Sequence, residues 1–109
     1  MTQIDDAQFN NLDKQGKRIL LFYSNTCPLC VPAKMALEQL EKQHTEIKFM
    51  AIDYCINKQA ATMFGIVGVP CVLLIQDNQV QIYHGARTKS EYSKIIHTTF
   101  VKRQPDGLR

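Results

Sequence analysis

Along this chain the spacing of apolar residues changes repeatedly, and each change marks an element. From Arg18 to Tyr23 the chain runs through Ile19-Leu20-Leu21-Phe22, an unbroken apolar stretch that fits a central strand covered on both faces. From about Pro28 to Gln43 the period lengthens. Leu29, Ala33, Ala36, Leu37 and Leu40 recur on one face while Lys34, Glu38 and Glu41 lie away from it, as in an amphipathic helix. Ile47 to Ile52 reads as a second buried strand. Asn57 is placed to cap a short helix with Ala60 and Phe64 inward, closed by Gly65 just past its end. Cys71 to Gln76 is apolar and β-branched, and Asp77-Asn78 turns it into Val80 to His84, which predicts a hairpin.

The two ends carry helices as well. Asp5 or Asp6 can cap a short helix bearing Phe9 and Leu12 that ends near Gly16, with room for an extra strand near Ile4. Thr88 and Glu91 stand at capping-box spacing before a helix whose Tyr92, Ile95, Ile96, Thr99 and Phe100 share a face, ended by Gln104-Pro105-Asp106-Gly107. Parallel strands joined by crossover helices, then an antiparallel hairpin, make an α/β fold with a mixed central sheet flanked by helices on both faces. No repeat, low-complexity stretch or linker interrupts the pattern. Residues 1–109 are therefore expected to form a single domain.

Composition narrows the function. A hydrophobic share of 45% and a charged share of 21% exclude disordered and collagen-like chains. The net charge is only +3, and the 13 basic residues are scattered except for Lys102-Arg103, so no nucleic acid partner is expected. The longest apolar stretch is too short to span a membrane. Met1-Thr2-Gln3-Ile4-Asp5-Asp6 has neither the basic nor the apolar region of a secretory signal, which predicts a cytoplasmic setting. Four cysteines are too few for a secreted disulfide scaffold, and in a reducing compartment they point to redox or metal chemistry.

The chemistry centres on Thr26-Cys27-Pro28-Leu29-Cys30, where the central strand hands over to a helix. Two thiols at C-x-x-C spacing on a first helical turn lie within bonding distance. Cys27 is expected at the helix cap, where unpaired N–H groups and the positive helix end favour a thiolate nucleophile. Cys30, one turn inside, suits the resolving role, attacking the mixed disulfide and releasing the reduced substrate. Pro28 is expected at the first helical position, where its missing N–H leaves nothing unsatisfied. The competing reading of C-x-x-C is half a zinc or iron–sulfur site, for which only the isolated Cys55 and Cys71 remain as further ligands. Gly68-Val69-Pro70 precedes a strand, and Pro in a tight turn is either trans or cis. A cis Val69-Pro70 bond would offer the Val69 backbone to an extended substrate near Cys27.

With these motifs in place, the sequence resembles the thioredoxin family from roughly Ile4 to Phe100. The likeness rests on Ile19–Tyr23 before Cys27-Pro28-Leu29-Cys30, on Ile52-Asp53, on Phe64-Gly65-Ile66-Val67-Gly68-Val69-Pro70, and on Gly85-Ala86 with the final helix. It implies a thioredoxin fold with Cys27 attacking and Cys30 resolving. Pro70 would be the substrate-binding cis-proline and Val69 the main-chain partner, with Pro28 and Leu29 also contacting substrate. All four cysteines would then gather at one end of the sheet. The implied activity is protein-disulfide reduction or exchange by a monomer without a cofactor or metal. Electrons would come from a thioredoxin-reductase-like donor or a low-molecular-weight thiol.

The departures from the family pattern are informative. Pro28-Leu29 looks more like the dipeptide of glutaredoxins or periplasmic oxidases, so a glutaredoxin-like or oxidase-like enzyme is the first alternative. A thioredoxin-fold module that binds a partner or metal is the second. Leu21 matches the family's buried acid and Phe49 its nearby lysine, so Cys30 must use another base or water, and resolution should be slower. Pro32 is expected to loosen or kink the helix. Cys71 reads as a small buried hydrophobe and Cys55 as exposed or inert, too far apart to pair. Tyr23 reads as a packing aromatic, His44, His84 and His97 as surface or packing residues, and Met35, Met50 and Met63 as buried.

Overall fold

The computed structural model describes residues 1–101, so the expectations for Lys102-Arg103 and the Gln104–Gly107 tail lie outside the described residues. Five strands and four helices follow in order: β1 (Thr2–Ile4), α1 (Asp6–Asn10), β2 (Lys17–Tyr23), α2 (Cys30–Glu41), β3 (Ile47–Asp53), α3 (Lys58–Met63), β4 (Cys71–Gln76), β5 (Gln79–His84) and α4 (Lys89–Ile96), which runs on into a π-helical turn over His97–Val101. The sheet order is β1-β3-β2-β4-β5. β1 and β2 both run parallel to β3, whereas β4 is antiparallel to β2 and to β5. The α/β mixed sheet is the expected one, including the extra strand at Ile4.

The unbroken apolar run of β2 has a direct structural cause. Alternate side chains of a strand point to opposite faces, and both faces of β2 are buried. Ile19 and Leu21 join one core with Ala33, Leu37 and Leu40 of α2 and with Tyr92, Ile96 and Phe100. Leu20 and Phe22 join the other, with Phe9 of α1 and with Ala60 and Ala61 of α3.

Turn chemistry matches the sequence at three places. Asp77 and Asn78 both take positive φ, 52° and 70°, the pair of left-handed residues that a tight two-residue hairpin loop requires. Thr88 and Glu91 form the capping box, with Glu91 N–H donating to Thr88 Oγ1 at 3.1 Å and Thr88 N–H to Glu91 Oε1 at 2.8 Å. Gly65, at φ +64°, closes α3 while Ile66 N–H reaches back to the Ala61 carbonyl at 2.8 Å.

Other details differ. Asp5 caps α1, but the helix stops at Asn10 instead of near Gly16. Asn57 is the residue before α3, yet its side chain makes no cap bond to the helix. Instead, Asn57 accepts from Asp6 N–H at 2.9 Å and donates to the Asp53 carbonyl at 2.9 Å. The Asp6 carboxylate does the capping, taking Gln59 N–H at 3.2 Å and Ala60 N–H at 2.9 Å. Losing a cap of this type costs about 1–2 kcal/mol. Asp6→Ala should therefore lower the unfolding free energy by that amount, read as a lower urea midpoint at unchanged slope, and an unaltered midpoint would show that the cap contributes nothing.

Candidate active site

The site forms where β2 and β3 end and β4 begins, because the register sets Phe22 beside Cys71 and Tyr23 beside Asp53. Ser24, buried just past β2, organises the turn. Its carbonyl accepts Cys27 N–H at 3.2 Å, and its hydroxyl accepts Thr26 N–H at 3.2 Å. Two i→i+3 bonds then lead into the helix, Cys30 N–H to the Cys27 carbonyl at 3.1 Å and Val31 N–H to the Pro28 carbonyl at 3.4 Å. These i→i+3 bonds close a tight turn ahead of the regular helix, which begins only at Cys30. The cap is consequently Leu29, with Cys27 two residues ahead of it and Pro28 one residue before it rather than at the first helical position. Pro32 falls at the third helical position, where a backbone N–H has no intrahelical partner. The helix runs through Pro32 without a break.

Cys27 is half-buried and its Sγ lies 3.8 Å from the Val69 carbonyl oxygen, as donor to it. The Val69-Pro70 peptide bond is cis. Pro70 is buried, and its carbonyl is held by Gly85 N–H at 3.0 Å. Gly85 sits at φ +89°, a conformation that favours glycine. Cys30 is only 3% exposed. Burial pushes its thiol up to about 11, helped by the hydrogen bond to Cys27; the Ser24 backbone opposes this, and the charge of Cys27 adds to it. Cys30 is therefore held as a thiol in the dithiol state.

The other cysteines also lie at this end of the sheet. Cys71 is fully buried in the core between the sheet, α1 and α3, and burial raises its pKa. Its Sγ is 3.6 Å from Nδ1 of His84, its cross-strand partner on β5. Cys55 is exposed, with Sγ 3.4 Å from the Ser24 hydroxyl. All four thiols are free, and among the described residues no group of three or more His, Cys, Asp or Glu is arranged to hold a metal ion.

Several side chains differ from expectation. Leu29, counted with the buried face of α2, is exposed, as are Met35 and Met63; only Met50 of the three methionines is buried. With Val31 and Val67 also exposed, the segments beside Cys27 present apolar surface to solvent. Behind Cys30, Leu21 and Phe49 are buried in the core, so the positions of the family's acid and lysine carry no charge. Tyr92 shares that core, and its buried hydroxyl has no hydrogen-bond partner. The sequence marked Tyr92 only as one of an apolar face. Tyr23, half-buried, carries the Lys34 ammonium 5.2 Å above its ring, and both line a cavity of about 290 Å³ that reaches Cys30.

A dithiol at a strand–helix junction, facing a cis-proline loop across a mixed sheet, defines a thioredoxin-like oxidoreductase scaffold. The thioredoxin family model matches residues 1–98. Thioredoxin of Listeria monocytogenes is 26% identical over 97 residues, covering 87% of this chain and 94% of that protein. Protein disulfide-isomerase A6 of Mus musculus is 30% identical over 99 residues, 84% of this chain but 22% of that much longer protein. The X-ray structure of Fasciola hepatica thioredoxin superposes with a TM-score of 0.81 at 21% identity, over 90% of this chain and 98% of that one. This chain belongs to the thioredoxin family. Among its described residues, no helix is long and apolar enough to cross a membrane.

Proposed function

We propose that this protein is a thiol–disulfide oxidoreductase that reduces or exchanges disulfides in protein substrates through Cys27 and Cys30. The observation that carries the reading is the pairing of a half-exposed Cys27, 3.8 Å from the Val69 carbonyl, with a buried Cys30 held as a thiol. The Cys27 thiolate attacks one sulfur of the substrate disulfide, forming a mixed disulfide and releasing the first substrate thiolate. Cys30 then loses its proton and attacks the Cys27 sulfur. The Cys27–Cys30 bond forms, the Cys27–substrate bond breaks, and two electrons have passed to the substrate. Val69 and Pro70 align the extended substrate strand, while Pro28 and Leu29 supply apolar contact. A separate reductase or a low-molecular-weight thiol in a cytoplasmic setting restores the dithiol. The acting unit is a monomeric single domain.

A more oxidising enzyme is the second reading, favoured by Pro28-Leu29 and by the likeness to protein disulfide-isomerase A6. Titration against glutathione and dithiothreitol buffers, read by alkylation and intact mass, separates the two. A two-electron couple on Cys27 and Cys30 near about −270 mV supports the reductase, and one above about −180 mV the isomerase or oxidant. If no couple forms between these residues, the enzyme reading fails and a binding module takes its place.

A further inference from the structure

We propose that the groove beside Arg87 is a substrate subsite that takes an acidic segment flanking the disulfide of a protein substrate, a specificity that rests on the dithiol reading above. A cavity of about 500 Å³ lies between α2 and the turn into α4, with Pro32, Met35 and Ala36 on the helix side and Arg87, Lys89 and Glu91 on the other. The groove adjoins the dithiol site. Pro32 is two residues past Cys30, and Ala86, also in the lining, follows the Gly85 whose N–H holds the Pro70 carbonyl at 3.0 Å. From Pro32 to Gln39 the lining follows α2 for about 10 Å, the length of about three extended residues. Met35 is 54% exposed, so the floor is open to an incoming chain.

Charge selects what enters. Arg87 and Lys89 are cations, and among the described residues neither stands in an ion pair. Glu91 is the one carboxylate in the lining and is already engaged, its Oε1 accepting Thr88 N–H at 2.8 Å in the capping box. Arg87 is also held in place. Its Nη2 donates to the His84 carbonyl at 3.3 Å, its guanidinium carbon lies 5.4 Å from the centre of the Tyr83 ring, and its Nε is buried without a partner. A guanidinium fixed in this way loses little freedom when a carboxylate reaches it. Two unpaired cations beside an apolar floor fit a segment that carries apolar side chains together with Asp or Glu, and they repel a basic one. The thiol chemistry at Cys27 and Cys30 is unchanged, and the groove acts by favouring which disulfide is presented to it.

The test compares two peptide disulfides that are alike except for Glu or Gln within three positions of each cysteine. The glutamate peptide should have a KM about fivefold lower, as expected of partly exposed ion pairs. Arg87→Gln with Lys89→Gln should bring that ratio to about one, whereas Lys14→Gln with Lys48→Gln, near the opposite end of the sheet, should leave it in place. Equal KM values in the native chain overturn the proposal. So does a preference that survives the loss of Arg87 and Lys89, or one lost equally with Lys14 and Lys48. If the Arg87 variant does not fold, Lys89→Glu at an exposed position of the first turn of α4 must by itself reduce the ratio, and an unaltered ratio overturns the proposal. Binding of the same two peptides, reduced and S-methylated, to Cys27→Ser reads the groove without turnover: the glutamate form must bind tighter, and equal binding overturns the proposal. Failure of the redox titration above, with this binding preference intact, would sink the dithiol function and leave the acidic subsite standing.

Discussion

Cys27→Ser should lower disulfide reduction by on the order of a thousandfold or more, the scale on which removal of a nucleophile acts. The reason is that neither buried thiol can take its place at neutral pH. The nucleophile is the thiolate, and Cys30, with its pKa pushed up to about 11 and only 3% of it exposed, is neither ionised nor accessible. Cys71 is fully buried, and burial raises its pKa too. Cys30→Ser should fail differently. The first attack still occurs, so a substrate adduct accumulates on Cys27 and appears in the intact mass. Turnover of a protein disulfide by Cys27→Ser within tenfold of the native rate would reject the assignment, and exposed Cys55 would be the next thiol to replace. Turnover by Cys30→Ser without an adduct would mean that an external thiol, not Cys30, resolves the intermediate.

What the sequence made legible follows from how local each signal is. The core strand β2 is readable because two buried faces demand an unbroken apolar run, and Ile19-Leu20-Leu21-Phe22 supplies one. The Thr88–Glu91 capping box and the Asp77-Asn78 turn are written within four residues, and they formed as expected. The cap of α3 is not local. Asp6 reaches it from more than fifty residues away, and Asn57, which looked like the cap, joins the two helices instead.

The site was misread wherever hydrophobicity alone was taken as burial. Ala33, Ala36, Leu37 and Leu40 hold one stripe of α2, and Met35 lies off it. Leu29 fits the stripe by spacing, but the helix begins only at Cys30 and leaves it at the exposed rim. Both residues are exposed on the segment that carries Cys30. Tyr92 was placed on the correct face.

Resolution of a mixed disulfide on Cys27 should quicken about tenfold per pH unit from pH 7 upward, because the attacking species is the Cys30 thiolate and its fraction grows in that proportion below the pKa. Between pH 7 and pH 9 the expected gain is about a hundredfold. The plateau should come below about 11, since that value includes a hydrogen bond and a charge from Cys27 that vanish once Cys27 is in the disulfide, leaving burial opposed by the Ser24 backbone. With Leu21 and Phe49 in the core, no carboxylate or ammonium stands at those positions to flatten the profile. Rapid mixing of a preformed Cys27 adduct, quenched with alkylating reagent at several pH values, measures this directly. A rate independent of pH between 7 and 9 would mean that a general base serves Cys30, or that Cys30 ionises within the adduct below pH 7. Equilibrium stability provides a second check of the same shift. The folded pKa of Cys30 lies above the unfolded value of 9.0, so the folded state keeps a proton that the unfolded state loses as pH rises past 9. Stability is then fully present below pH 9 and declines between 9 and about 11, with Cys71 acting in the same direction. The environment that holds Cys30 as a thiol at neutral pH therefore also makes the fold sensitive to alkali, and replacing both buried thiols by alanine should remove that part of the decline.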